Sequence, residues 1–188
     1  MPKPVPVPIR QKLWERSQQG EGSASLAAAF DLSPRTVRHL LKRLRERGVQ
    51  IATQLDPGLP RIRASADQLK QVLLNLLLNA ADSMPKGGTI TVATQAGAGT
   101  ETEVFGRDAV QIQVRDTGEG IPDELIAQIF EPFFSTKSGK GTGLGLWVSQ
   151  GIVQSHGGTM RVRSRVGRGT TFMITLPVEG PPSDARAA

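Results

Sequence analysis

The chain has 188 residues, of which 38% are hydrophobic and 21% charged, and its formal net charge is +6. This composition fits one ordinary globular domain with room for a small additional module, and it excludes a disordered chain. The absence of cysteine excludes disulfides and cysteine-ligated metals. The longest apolar run, 72–78, is interrupted by Asn75 and is too short to cross a bilayer. Because prolines at positions 2, 4, 6 and 8 also exclude a signal peptide, we expect a cytoplasmic protein without membrane association.

The N-terminal part of the chain predicts a leader followed by short helices. Residues 1–8 alternate with proline and should form an extended, flexible leader. Apolar residues at helical spacing then predict one helix over 9–19 and a second over 25–30. These two helices and the one that follows them would make a small three-helix unit.

The third helix is expected to run from Pro34 to about Arg47 and has a strongly basic face. Ser33 as N-cap and Pro34 at the first helical position predict its start, and Gly48 predicts its end. A tight turn before a basic helix is similar to the helix-turn-helix of transposases and resolvases, so we interpret residues 9–48 as a DNA-binding module. The alternative is a helical hairpin whose arginines are only solvated. On the DNA interpretation, the contacts to bases or phosphates come from Arg35, Thr36, Arg38, His39 and Lys42.

From Val49 onward the pattern changes to alternating strands and helices. Strands are expected at 49–55, 61–64, 89–94, 110–115, 159–164 and 170–176, the last two pairing as a hairpin. Helices are expected from a capping box of Ser65 and Gln68 to about Ser83, from Pro122 to about Phe130, and from Gly143 to Gly157. Residues 179–188 should be a disordered tail.

Amide side chains mark one side of the helix that Ser65 begins. Its other side is an apolar stripe, whereas Gln71, Asn75 and Asn79 follow one another at intervals of four. Gln71 we interpret as solvated surface, and the same interpretation is the alternative for the two asparagines. We favour a neutral oxygen donor to magnesium, because this ion takes few protein ligands and completes its shell with phosphate oxygens and water.

Asp116 ends a predicted strand and is followed by a glycine-rich turn. Its carboxylate could accept a hydrogen bond from the exocyclic amine of adenine, while Gly118 and Gly120 would let the backbone pass close to the base. A capped turn is the alternative, and it explains the glycines alone.

A second glycine string, Gly141 to Gly145, opens the helix that follows. Free backbone amides and the positive end of the dipole at a helix start suit the phosphates of ATP. The polar segment 135–140 contains two lysines and could fold over the nucleotide as a lid. Both glycine strings bracket a phenylalanine-rich segment at 130–134. Together with the asparagine helix, these segments describe one pocket for ATP with magnesium.

In this order the four segments resemble the sequence boxes of sensor histidine kinases. The resemblance covers Val49 to about Val178 and rests on Gln71–Ala80 as the N box, Asp116–Gly120 as the G1 box, Phe130–Phe134 as the F box and Gly141–Leu146 as the G2 box. It implies an α/β (α+β) two-layer sandwich, a mixed sheet packed against helices, preceded here by the small three-helix module. At the matching positions, Asn79 would ligate magnesium with Asn75 in support at the catalytic centre. ATP would be bound by Asp116, Gly118, Gly120, Lys137, Gly141, Thr142, Gly143, Leu144, Gly145, Leu146 and Thr170.

Asn75 bears on the reaction type. Hydrolysing members of the wider superfamily, which includes gyrase, MutL and heat-shock chaperones, carry a glutamate four residues before the magnesium asparagine. The residue at that position here is Asn75, a poor general base. The resemblance therefore implies a kinase that transfers phosphate to a protein rather than an ATPase motor.

A histidine kinase also needs a phosphoacceptor histidine on a dimerising helical hairpin, normally followed by an acidic residue. Of the two histidines in the chain, His156 matches a structural position and His39 is followed by leucine. We therefore predict a protein-histidine kinase whose acceptor histidine lies on another protein, which passes the phosphoryl group to a response regulator. Two alternatives stay open: a DNA-binding regulator with a nucleotide-sensing kinase-like domain, and a non-functional transposase–kinase fusion.

Overall fold

The structure is a computed structural model that describes residues 34–97, 108–136 and 142–181. These ranges hold three α-helices and five strands, which in chain order are α1 (Pro34–Glu46), β1 (Val49–Leu55), α2 (Ala66–Asp82), β2 (Gly88–Ala96), β3 (Ala109–Asp116), α3 (Gly145–Ser155), β4 (Thr159–Arg165) and β5 (Gly169–Pro177). The predicted leader, the predicted helices at 9–19 and 25–30, and the tail beyond residue 181 lie outside the described residues.

The five strands form one mixed sheet in the order β1-β2-β3-β5-β4. β1 and β2 are parallel and are connected through α2, whereas the other neighbours pair antiparallel. Alternate residues of the strands, such as Ile90, Val114 and Ile174, point into one core that also receives the apolar side of α2. This arrangement confirms the predicted two-layer fold of a mixed sheet packed against helices, and it also confirms the predicted C-terminal hairpin.

α1 packs against α2 and β1, and its apolar side joins the same core through Leu40 and Leu44. Its basic side is tied to the end of α2, because both Arg43 and Arg47 form ion pairs with Asp82, at 2.6 and 3.3 Å. α1 ends close to the predicted position, because Gly48 adopts a left-handed φ of +62° that a helix does not allow. The division of the chain at residue 48 into two modules stays a prediction.

The start of α2 confirms one half of the predicted capping box. Ser65 Oγ accepts a hydrogen bond from the backbone N–H of Gln68 at 3.4 Å. The backbone N–H of Ser65 is bound not by the Gln68 side chain but by His156 Nε2, at 3.0 Å. His156 Nδ1 in turn donates to the Ile152 carbonyl at 2.7 Å, so this histidine joins the end of α3 to the start of α2.

Three predicted elements differ from the structure. Residues 61–64 are not a strand, and the backbone N–H of Arg63 donates to the Val178 carbonyl at 2.9 Å. The expected helix at 122–130 is instead two 3-10 turns, Asp123–Leu125 and Gln128–Phe130. So short a helix is marginal, and Pro132 forces the preceding residue into an extended conformation. α3, which was predicted to begin at Gly143, begins at Gly145 because Gly143 has a left-handed φ of +67°.

Packing of α1 into the shared core predicts a measurable loss of stability when that contact is truncated. Leu44 is 1% exposed, so Leu44→Ala should lower the free energy of unfolding by about 2–5 kcal/mol. Urea denaturation followed by circular dichroism measures the change. Arg38→Ala, at an exposed position of the same helix, serves as the control and should stay within about 0.5 kcal/mol of wild type. If the urea unfolding transition of Leu44→Ala coincided with that of wild type, α1 would not share a core with the sheet.

Candidate functional site

A cavity of about 480 Å³ opens between α2, the loop after β3, the 3-10 turns and the first turn of α3. A volume of this size accommodates a small organic ligand. The structure brings the following predicted site residues to its wall: Asn75, Asn79, Asp116, Gly120, Thr142, Gly143, Gly145, Leu146 and Thr170. Of the remaining predicted residues, Gly118 is buried behind the wall, Leu144 precedes α3, and Lys137 and Gly141 lie outside the described residues.

Asp116 is buried at the sheet end of the cavity, with 3% of its surface exposed. One carboxylate oxygen, Oδ1, accepts from the backbone N–H of Gly118 at 2.8 Å and of Thr170 at 3.2 Å, and it lies 3.2 Å from Ser83 Oγ. Burial raises the pKa of Asp116 above its usual value, and the hydrogen bonds from Gly118, Thr170 and Ser83 act in the opposite direction. Within the described ranges no protein group is bonded to Oδ2, which leaves an acceptor at this end of the cavity.

The loop after Asp116 is held between α2 and the β4–β5 hairpin. The backbone N–H of Glu119 donates to the Ser83 carbonyl at 3.0 Å, and the backbone carbonyl of Glu119 accepts from Gly167 N–H at 2.7 Å. Any Cβ at Gly118 would overlap Ser83, and any Cβ at Gly120 would overlap the Arg165 backbone. The close approaches that these glycines permit in the structure are to protein, and an approach of their backbone to a base stays a prediction.

Asn75 and Asn79 lie one turn apart on the side of α2 that faces the cavity. The Asn75 amide donates to the Gly145 carbonyl and to Ser149 Oγ, both at 3.1 Å, so it fastens α2 to the first turn of α3. Asn79 lies between this contact and Ser83. Gln71 is exposed, as the sequence predicted.

The first turn of α3 forms the opposite end of the cavity. Thr142, Gly143, Gly145 and Leu146 line it, and the first helical hydrogen bond runs from Val148 N–H to the Leu144 carbonyl at 2.9 Å. Backbone amides at such a start have no partner inside the helix and attract anions. The backbone of Phe133 packs so closely against Gly143 that a Cβ at this position would overlap it.

The described residues contain no cluster of three or more His, Cys, Asp or Glu that could hold a metal. The neutral oxygen of Asn79 fits magnesium, which commonly takes one or two protein ligands beside phosphates and water.

No helix of the described ranges is long and apolar enough to cross a membrane.

The residues predicted to bind DNA lie on α1. Arg35, Arg38, His39 and Lys42 are exposed, and the side chain of Thr36 is outside the described set. Lys42 forms an exposed ion pair with Glu46 at 3.7 Å. His39 also lines the cavity, at the rim that α1 contributes. A role of these residues in DNA binding stays a prediction.

Sequence reasoning missed several residues of the cavity wall. Ser83 could have been found, because it continues the four-residue interval from Asn75 and Asn79. Phe134 belongs to the phenylalanine-rich segment, but its place in the wall was not predicted. Arg43 gave no local signal, since its contact with Asp82 spans 39 positions of the chain. The other unpredicted wall residues include Leu78, Glu119, Ile121, Ile129 and Phe172.

The family described as histidine kinase-, DNA gyrase B-, and HSP90-like ATPase matches residues 64–180. The sensor histidine kinase ZraS of Escherichia coli (strain K12) is 44% identical over 133 residues, which are 70% of this chain and 26% of that protein. Sporulation kinase A of Bacillus subtilis (strain 168) is 42% identical over 175 residues, which are 93% of this chain and 25% of that protein. The chain thus spans about a quarter of the length of these curated relatives.

The solved structures agree with this likeness. The catalytic domain of histidine kinase ThkA superposes with a TM-score of 0.62 at 29% identity, covering 77% of this chain and 89% of that one. The mixed five-stranded sheet with its helices is therefore the histidine kinase ATPase fold.

The buried carboxyl of Asp116 predicts a pH dependence of stability. Its pKa in the folded state is raised above the ordinary 3.8, so between these values the folded state binds more protons than the unfolded state. The stability conferred by protonated Asp116 is fully present below pH 3.8 and is lost as the pH rises through the raised pKa of the folded state. Asp116→Asn removes this titration and should be at least as stable as wild type at neutral pH.

Urea unfolding at a series of pH values checks this prediction. The stability advantage of Asp116→Asn should grow as pH rises through the window and then remain constant. Asp67→Asn, at a carboxylate whose side chain is 76% exposed, serves as the exposed control for the same substitution. An Asp116→Asn variant that loses stability with rising pH as wild type does would contradict the assignment.

Proposed function

Because the chain belongs to the histidine kinase-, DNA gyrase B-, and HSP90-like ATPase family, we propose that residues 49–178 are the catalytic ATP-binding domain of a protein-histidine kinase in two-component signalling. The observation that carries the proposal is the single cavity that joins Asp116, Asn79 and the first turn of α3. These three features offer an acceptor for adenine, a ligand for magnesium and amides for phosphates. The sensor histidine kinases to which the chain is similar support the same reaction class.

Adenine is proposed to bind at the sheet end of the cavity. Oδ2 of Asp116 accepts from the exocyclic amine, while Oδ1 is held by Gly118 and Thr170. The apolar wall residues, such as Ile121, Leu125 and Phe172, cover the ring. Guanine carries a carbonyl where adenine has its amine, so a buried carboxylate at this point disfavours GTP.

The phosphates are proposed to lie toward α3. Backbone amides of the segment from Thr142 to Leu146 bind phosphate oxygens, and Asn79 holds magnesium with the support of Asn75. A lid contact from Lys137 and a contact from Gly141, in the glycine string before α3, complete the proposed set. Magnesium, when bound, neutralises charge on the phosphate oxygens. Asn75 keeps α2 and α3 at a fixed separation through Gly145 and Ser149, so the two sides of the phosphate site stay aligned.

The proposed reaction moves the γ-phosphoryl group from ATP to a histidine. The bond between the γ-phosphorus and the bridging oxygen of ADP breaks, and a bond from phosphorus to an imidazole nitrogen forms as the imidazole loses one proton. His156 is unsuited as the acceptor, because both its ring nitrogens are engaged, by Ile152 and by Ser65. His39 is followed by leucine instead of the acidic residue that normally follows an acceptor histidine, so we propose that the acceptor lies on another protein, with a response regulator as the next partner.

Phosphotransfer is tested by incubating the purified chain with γ-labelled ATP and magnesium, alone and with a histidine-bearing helical hairpin fragment. We expect label on the fragment that is lost in acid and survives alkali, as a phosphohistidine requires. Asn79→Ala should abolish the transfer, and Gln71→Ala, at an exposed position of the same helix, should not. If ATP binds but no label reaches the chain or the fragment, the kinase reaction is rejected and a nucleotide-sensing role is favoured. A DNA mobility shift that changes with ATP would support that role.

Asp116→Asn should weaken ATP binding by about tenfold or more, because an amide N–H would replace the acceptor opposite the adenine amine. Isothermal titration with ATP and GTP measures the effect, and wild type should prefer ATP. Glu119→Gln, at an exposed carboxylate of the same cavity wall, is the matched control and should not lose affinity for ATP. Equal binding of ATP and GTP by wild type would contradict the proposed adenine site.

A further inference from the structure

Arg43 lines the nucleotide cavity although it lies outside the part of the chain that matches the family. It belongs to α1, whereas the family match begins at residue 64. α1 is anchored to the domain by Leu40 and Leu44, which are 4% and 1% exposed. Arg43 therefore reaches the cavity from a helix with a buried attachment rather than from a loose surface segment.

The guanidinium of Arg43 is held in place by Asp82, the last residue of α2. Arg43 Nη1 lies 2.6 Å from Asp82 Oδ2, and the Asp82 side chain is only 11% exposed. Arg47 pairs with the other oxygen of the same carboxylate at 3.3 Å and donates to the Ala81 carbonyl at 2.7 Å. One carboxylate thus faces two guanidinium groups, so the cluster retains a positive charge.

This surplus charge matters because the rest of the cavity wall is acidic. Asp82, Asp116 and Glu119 all line the cavity, and Arg43 is the lone arginine or lysine among its described wall residues. A nucleotide polyphosphate is an anion and would meet repulsion from this wall without a compensating cation. Asp82 also lies three residues beyond Asn79, which makes the two side chains neighbours on α2.

We propose that Arg43 binds phosphate oxygens of the nucleotide, so that α1 completes the nucleotide site. The inference rests on the proposed function, which places magnesium and phosphates at Asn79. A guanidinium carries five N–H donors in a planar fork, of which the bond to Asp82 uses one. Asp82 lies three residues beyond Asn79, so it holds this fork beside the proposed magnesium ligand. ATP affinity consequently depends on the helix that precedes the family domain.

The test is isothermal titration of the full chain with MgATP, MgADP and adenosine, using Arg43→Gln and Arg47→Gln as a matched pair. Both substitutions remove one guanidinium from Asp82 and retain an amide donor, but only the first alters the cavity wall. Arg43→Gln should weaken MgATP binding by about tenfold, as loss of a charged hydrogen bond does. The loss should be smaller for MgADP and absent for adenosine, and Arg43→Lys should recover part of the ATP affinity.

Thermal denaturation of every variant separates binding from folding. If Arg43→Gln does not fold, Arg43→Lys carries the test, because a cation without the planar fork should still bind ATP more weakly than wild type does. Unchanged ATP affinity, an equal loss for adenosine, or an equal loss in Arg47→Gln would overturn the inference and leave Arg43 as a structural ion pair. Wild type that binds no ATP would instead reject the proposed function itself.

Discussion

The buried carboxylate of Asp116 is the constraint on which the geometry of the site depends. A carboxylate that is 3% exposed must be satisfied by hydrogen bonds, and the groups that satisfy it come from three different elements. Gly118 lies in the following loop, Thr170 on β5 and Ser83 at the end of α2. Binding one oxygen therefore fixes the loop, the sheet and the helix relative to one another. The other oxygen has no protein partner among the described residues, and in the proposed function it accepts from adenine.

Helix α2 carries this arrangement from one end of the cavity to the other. Its apolar stripe is fully buried against the sheet, with Val72, Leu76 and Leu77 at 0% exposure. On the cavity side, Asn75 binds the first turn of α3 and Ser83 lies beside Asp116, about 12 Å further along the axis. The helix thus acts as a rigid spacer between the end that suits adenine and the end that suits phosphates. Asn79 lies between the two.

The cavity wall extends beyond the part of the chain that matches the family. The acidic residues Asp82, Asp116 and Glu119 all come from the family-matched region, and Arg43 comes from the helix before it. Because α1 shares its core with the sheet, a movement of this helix would displace a charge at the cavity rim. A segment preceding the domain could influence nucleotide binding through this contact.

The sequence by itself determined the elements whose signals are local. Periodicity located α2 and all five strands to within two residues, and Gly48 marked the end of α1. The order of the asparagine pair, Asp116 and the glycine strings indicated one nucleotide pocket. Tertiary structure alone decided the rest, since a chain pattern does not encode distant partners. His156, rather than the Gln68 side chain, binds the backbone N–H of Ser65, and Asp82 pairs with Arg43 across 39 positions of the chain.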